Sequence, residues 1–346
     1  MRLLITGGAG FIGRRVVAAC LAAGHDVRVL DVLLPNVHAG REQPLLEGAE
    51  LVVGDVRAED TVRTALRGVD AVCHLAAMVG RGRDTLDAPG FTSHNDYGTG
   101  VLVAAMTEVG PTQLVLASSV VVYGEGRYQC AEHGECSPGT RDRTLVAAGV
   151  FDHHCPLCGR KLSPVQVLET APLEPLSMYG ASKVAQEHLI RAWAAHTGGS
   201  ATALRYHQVY GPGMKRNSTY SGVACVFRSV VQRGDAPEVF EDGRMLRDFV
   251  HVDDVARATE AALGRRDPGF RAYNVASGQP RTVAEMAATM AEVAGAPAPV
   301  VTGRSRFDDL RHLVAAPERM AKELGWQAQV GFADGVREFV EAPMAD

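Results

Sequence analysis

The sequence predicts an α/β protein: a doubly wound parallel sheet with a smaller C-terminal substrate lobe and one inserted metal-binding segment. Three observations lead there. Short runs of Leu, Val and Ile alternate with segments of helical apolar spacing from residue 2 to residue 206, the alternation of a parallel sheet. The first of those runs passes directly into GGAGFIG. Between Gly124 and Pro172 the periodicity stops, and four of the seven cysteines gather there.

In chain order, strands are expected at 2–5, 27–30, 50–53, 70–75, 113–118 and 201–206. The first helix places Ile12, Val16, Val17, Cys20 and Leu21 on one face, and Gly24 is set to end it. Further helices are expected near 59–67, 95–109 and 179–196. After residue 210 the pattern loosens into Gly and Pro turns, with a strand at Glu238 to Glu241 and helices near 253–264 and 282–294. Thr282 and Glu285 have the spacing of a capping box. This divides the chain into a dinucleotide-binding unit (1–124 and 172–210), an insert (125–171) and a lobe (211–346) that returns some chain to the sheet.

A chain of 346 residues with 46% hydrophobic and 22% charged content can bury a substantial core. Its net charge of −5 provides no basic stripe, which argues against nucleic acid or an anionic membrane surface as partner. No window reaches the roughly 18 apolar residues of a membrane span. The opening MRLLITGG lacks a secretory pattern, so a cytoplasmic protein acting on a small molecule is expected.

The glycine turn carries the first chemistry. Gly7, Gly10 and Gly13 fall between a strand and a helix, where missing side chains let the backbone approach a pyrophosphate at the helix N-terminus. Asp31, at the end of the second strand, can accept from a ribose 2′-hydroxyl and repels a 2′-phosphate, which favours NAD over NADP. Arg14 and Arg15 pull the other way. The second chemistry lies in YGASK, where Tyr179 and Lys183 are one helical turn apart and share a face. An ammonium beside a phenol favours the phenolate, so Tyr179 can exchange protons near neutrality. Ser118 and Ser119 end the fifth strand, at the sheet edge where ligands bind in open α/β sheets.

The insert holds CAEHG at 130–134 and CPLCGR at 155–160, two knuckle-like turns each followed by glycine. Cys130, His133, Cys155 and Cys158 form a candidate tetrahedral site for a structural zinc, with Cys136 as the alternative to His133. A metal would supply order to a segment too small for a core of its own. Lying between Ser119 and Tyr179 in sequence, the insert is expected beside the substrate mouth, as a lid or a dimer contact.

With GGAGFIG, Asp31, Asp55-Val56, HLAA at 74–77, Asn95, SSVVVYG, YGASK and LRYHQVYGPG in this order, the chain resembles the extended short-chain dehydrogenase/reductases, the NAD-dependent epimerase/dehydratase family, over almost its whole length. The resemblance implies a Rossmann fold, NAD, a nucleotide-diphosphate sugar and a homodimer. It makes Ser119, Tyr179 and Lys183 the catalytic triad. It sets Asp55 and Val56 against the adenine, and Leu75, Ala76 and Ala77 along the cofactor, with Phe11, Ile12, Asn95, Ser118 and Tyr206 as further contacts. RDFVHVDDVA matches Arg247, and RFDDLRH matches Arg306, to arginines that hold the diphosphate; paired guanidinium forks suit that group. Gln208 stands at a substrate contact where the family usually has asparagine. Val120 and Val121 follow the serine where dehydratases carry an acid-base pair, so simple epimerisation at C4 is implied, with a net keto-sugar reductase as the alternative. The insert, with RYHQVYGPG, TYSGVA and FEDGRMLRDFVHVDDVA, narrows the resemblance to one branch of the 4-epimerases.

Overall fold

The structure, a computed structural model, describes residues 1–35, 46–80, 82, 84–216, 222–306 and 309–344. Its centre is a parallel sheet of seven strands: Arg2–Thr6 (β1), Asp26–Asp31 (β2), Ala49–Val53 (β3), Ala71–His74 (β4), Gln113–Ser119 (β5), Ser200–Tyr206 (β6) and Gly269–Val275 (β7). They lie in the order β7-β6-β5-β4-β1-β2-β3. The reversal beside β1 leaves a crevice at the carboxyl ends of β1 and β4, the usual ligand position in such sheets.

The continuous apolar runs follow from burial on both faces. Leu3, Ile5, Val27 and Val29 face one core, with Val16, Val17 and Cys20 of helix Phe11–Ala22 (α1) and Val255, Ala258 and Ala262 of helix Val252–Ala262. Leu4, Leu30, Val72, Leu114 and Leu116 face the other, with Leu102 of helix Gly98–Val109 (α2) and Ile190 of helix Met178–Thr197 (α3).

The chain beyond residue 210 serves two places. Helix Val252–Ala262 packs beside α1, and β7 completes the sheet, while a third core gathers Phe227, Val231, Met286, Met290, Val336 and Phe339. Helices Val223–Val231 and Phe332–Glu341, absent from the sequence reading, supply much of that third core. VACVFRSVV is rich in β-branched residues and so lacks a helical propensity signal. The expected strand at 238–241 stops at Val239, since Glu241 takes a φ of 53°. The expected helix from 95 divides into a π turn, Thr92–Tyr97, and α2. The capping box of Thr282 and Glu285 is formed.

The insert has its own small antiparallel sheet, Arg127–Cys130 between Gly134–Cys136 and Ser163–Val165. Asp142 caps helix Arg143–Ala147 within it. Among the described residues, no helix is long and apolar enough to cross a membrane.

Candidate active site and metal centre

The glycine turn has the geometry a pyrophosphate requires. Gly7 (φ 72°) lies so close to the chain after β4 that a Cβ would meet the Ala76 amide nitrogen at 2.6 Å; at Gly13 a Cβ would meet the Gly7 carbonyl oxygen at 2.2 Å. Gly10 caps α1, and the nearest atom to a Cβ there is 3.4 Å away. Since α1 has no side-chain cap and no acidic residue in its first turn, its N–H groups are open to an anion. The Asp31 carboxylate accepts from the Ala9 and Leu33 amides, both at 3.0 Å, and so ties the turn to the end of β2.

Around this turn, Leu75, Ala76 and Ala77 are half-buried, and Ala76 donates its N–H to Thr6 Oγ1 at 3.1 Å. The Asp55 carboxylate is gripped by Arg57, with Nη2 at 2.6 Å from Oδ2, which holds it below the usual carboxylate range. Val56 is buried against Gly98. Phe11 packs against the lobe core and Ile12 against the sheet core. Asn95, fully buried, exchanges two hydrogen bonds with the Met78 backbone and donates to Ser182 Oγ at 2.9 Å, joining the chain after β4 to α3.

At the ends of β5 and α3, Ser119, Tyr179 and Lys183 come together. The Ser119 hydroxyl, which accepts from the Val121 N–H at 3.4 Å, favours the Tyr179 phenolate, and Lys183 Nζ lies 5.8 Å from the centre of the tyrosine ring. Lys183 is buried and donates to the Ala117 carbonyl at 2.9 Å. The expected lowering of the phenol is not found: burial pushes Tyr179 up to about 12, against the opposing pull of Ser119. Burial also pushes Lys183 down to about 7, opposed by Glu187 and Asp96. Desolvation penalises both charged forms and outweighs their mutual attraction.

Two expected cofactor contacts have side chains engaged elsewhere. Ser118 Oγ donates to Glu187 at 2.5 Å, and the Tyr206 hydroxyl meets Thr259 Oγ1 at 2.6 Å within the sheet core. Glu187 was missed in the sequence. It is buried, binds Arg205 through both oxygens (2.7 and 3.0 Å), and lies one turn beyond Lys183 on the same face. The Tyr179, Lys183, Glu187 spacing was the available signal.

In the lobe, Arg247 is buried with carbonyl partners: it donates to Leu246 (2.7 Å), Arg311 (3.2 Å) and Leu310 (2.6 Å). Carbonyls thus orient the guanidinium, and Asp309, Glu125 and Glu241 act on its charge from further off. Arg306 is exposed and stacks on Phe240, its guanidinium carbon 4.6 Å from the ring centre. Phe307 and Asp308 of its motif, and residues 219–221 of TYSGVA, lie outside the described residues. Gln208 begins strand Gln208–Tyr210, its amide oxygen 3.0 Å from where a Cβ on Gly222 would lie.

The ligand atoms of Cys130, His133, Cys155 and Cys158 all lie within 4.8 Å of one another; Cys136 falls outside the group. Cys130 Sγ is 3.6 Å from His133 Nδ1 and from Cys158 Sγ, and Cys155 Sγ is 3.5 Å from His133 Nδ1. Tetrahedral zinc with ordinary bond lengths separates its ligand atoms by about 3.5–3.8 Å, so the four residues fit that ion. Gly134 and Gly159 follow the second ligand of each turn with φ of 74° and 70°, the left-handed bend that a side chain resists.

A doubly wound parallel sheet with a glycine turn at its switch point and a Ser-Tyr-Lys set at its carboxyl edge defines a nicotinamide-dependent enzyme of the short-chain dehydrogenase/reductase type. The chain belongs to the NAD-dependent epimerase/dehydratase family, whose pattern matches residues 3–142 and 157–276 and so leaves out part of the insert. It is 36% identical to a dTDP-L-rhamnose 4-epimerase of Burkholderia thailandensis, over 97% of this chain and 93% of that protein. Among solved structures it is similar to a UDP-glucose 4-epimerase of Thermotoga maritima with UDP-glucose (TM-score 0.79, 26% identity, 99% and 98% of the two chains). It is also similar to the Thermus thermophilus UDP-glucose 4-epimerase in complex with NAD (TM-score 0.76, 30% identity, 99% and 98%).

Proposed function

We propose that the protein inverts C4 of a nucleotide-diphosphate sugar through a transient 4-keto sugar, with dTDP-L-rhamnose as substrate. The observation that carries this reading is the gathering of Ser119, Tyr179 and Lys183, with the lysine 5.8 Å from the tyrosine ring centre, next to Val120 and Val121, which have no proton to give. In this reading, NAD held at the glycine turn would supply the hydride acceptor and donor that inversion at C4 needs, with no net change in the cofactor. Tyr179 removes the proton of the 4′-hydroxyl and gives it back. Ser119 holds that hydroxyl, and Lys183 orients Tyr179. Val120 and Val121 leave elimination of water without its acid and base. Gly7, Gly10 and Gly13 take the pyrophosphate, Asp31 the ribose, and Asp55 with Val56 the adenine end. Arg247 and Arg306 hold the diphosphate of the sugar nucleotide and Gln208 the sugar.

The 36% identical 4-epimerase supports the choice of sugar. A UDP-hexose is the second reading, favoured by the likeness to a structure holding UDP-glucose. Cys130, His133, Cys155 and Cys158 hold one structural zinc; with four protein ligands it has no place for substrate. The protein works in the cytoplasm as a homodimer through α2 and α3, with Tyr97 and Val109 exposed at the two ends of α2.

The test is NMR of purified protein with dTDP-L-rhamnose, UDP-glucose and UDP-glucuronate in turn, with no nicotinamide added. Conversion of one into its 4-epimer supports the reading and identifies the sugar. Consumption of added NADH by a keto sugar, without epimerisation of any of the three, overturns it in favour of a reductase.

A further inference from the structure

The insert meets the lobe through a buried charged seam whose centre is Arg311, fully buried. Its guanidinium donates to Asp152 (2.9 Å) from the insert, and to Glu241 (2.9 Å) and Asp242 (2.7 and 2.8 Å) from the lobe. Its backbone N–H donates to Glu125 at 3.2 Å. Arg141 of the insert binds the other oxygen of Glu241 at 2.7 Å. Isolated buried charges are costly, and such a seam persists only while its members keep their places.

Two features connect the seam to the substrate site. The Arg311 and Leu310 carbonyls accept from Arg247, so the position of Arg311 sets the direction of that guanidinium. Asp152 lies at the base of a hairpin, closed by the His154 and Lys161 bridge and by the Leu162 N–H to the His153 carbonyl at 2.8 Å, whose tip carries Cys155 and Cys158. Lys161 holds Asp152 from the same hairpin at 2.5 Å.

We propose that the insert is a working part of the nucleotide-sugar site: Asp152, fixed on the hairpin of the cysteine cluster, acts through Arg311 as a positioning residue for Arg247. This rests on the reading above that Arg247 takes the diphosphate. The insert then governs how tightly the nucleotide is held, and it does so without touching NAD.

The test is a double-mutant cycle on NAD-loaded protein, titrated calorimetrically with dTDP, using Asp152→Asn, Arg247→Ala and both together. Asp152→Asn is expected to weaken dTDP about 5- to 20-fold, the range of coupling between residues in one network. The same change made on Arg247→Ala is expected to cost nothing further. Asp152→Glu, which keeps the charge on Arg311, is expected to bind within about threefold of wild type. Unchanged affinity in Asp152→Asn, or a loss that simply adds to that of Arg247→Ala, overturns the proposal. If Arg247→Ala itself binds dTDP as wild type does, the diphosphate assignment is what fails. Should Asp152→Asn lose its NAD or its cooperative melt, Asp242→Asn tests the same path from the exposed side of Arg311. A loss of dTDP affinity that again vanishes with Arg247 supports the path, and an additive loss overturns it.

Discussion

Gly10→Ala separates the cofactor role of the glycine turn from its structural role. At this position φ is −71° and ψ 177°, open to any residue, and the nearest atom to the new methyl is a carbonyl oxygen at 3.4 Å. The fold should accept the change within about 1 kcal/mol, since alanine is a poorer cap than glycine but restricts the unfolded chain. A methyl at the N-cap of α1 crowds its uncapped first turn, where the proposed function puts the pyrophosphate. Displacing it from one charge-assisted N–H bond costs about 1.5–3 kcal/mol, a roughly 10- to 100-fold loss of NAD affinity. Gly13→Ala is the contrast: its methyl meets backbone at 2.2 and 2.7 Å, and overpacking of that kind costs about 1–3 kcal/mol or more in stability. NAD titration and thermal melts of both variants decide the matter. A Gly10→Ala protein that melts normally and binds NAD as tightly as wild type refutes the placement of the pyrophosphate.

Tyr179→Phe keeps the ring and removes the proton carrier; kcat for epimerisation is expected to fall about 10²- to 10⁴-fold with KM nearly unchanged, measured by initial rates. Chelation should remove about one zinc per chain, and hydrogen exchange should then rise in residues 125–171 while NAD affinity holds; a metal-free protein with unaltered exchange refutes the structural ion. His74 and His207 are buried and each pushed down to about 3 by desolvation, so both stay neutral in the fold but take up a proton when unfolded below their ordinary value of about 6.5. Their stability is therefore complete above pH 6.5 and lost as pH falls toward 3. Around pH 4–5, urea unfolding should show stability rising by up to about 2.7 kcal/mol per pH unit, and a slope near zero counts against their burial as neutral groups.

Local signals were legible in the sequence and long-range ones were not. β1 and the glycine turn need only neighbouring residues to declare them, and two short spacings pointed to the cluster in the insert: geometry gathers Cys130, His133, Cys155 and Cys158 and leaves Cys136 aside. Arg311 could not be found this way. In LRH it has the composition of a surface charge, and it becomes a buried hub only because Asp152, 159 residues away, and Asp242, 69 away, converge on it. Ser118 shows the same limit in reverse: its place at a strand end suggested the cofactor, yet Glu187 claims its hydroxyl.

Glu187 acts on Lys183, whereas Tyr179 answers first to its burial and then to Ser119. Glu187 and Asp96 favour a charged Lys183, and negative potential of that kind disfavours a phenolate on Tyr179. Desolvation nonetheless dominates at both groups, with the phenol at about 12 and the lysine at about 7. A positive charge brought close to Tyr179 would favour its phenolate. In the proposed function, NAD in its oxidised form would supply such a charge, which the reduced form would lack.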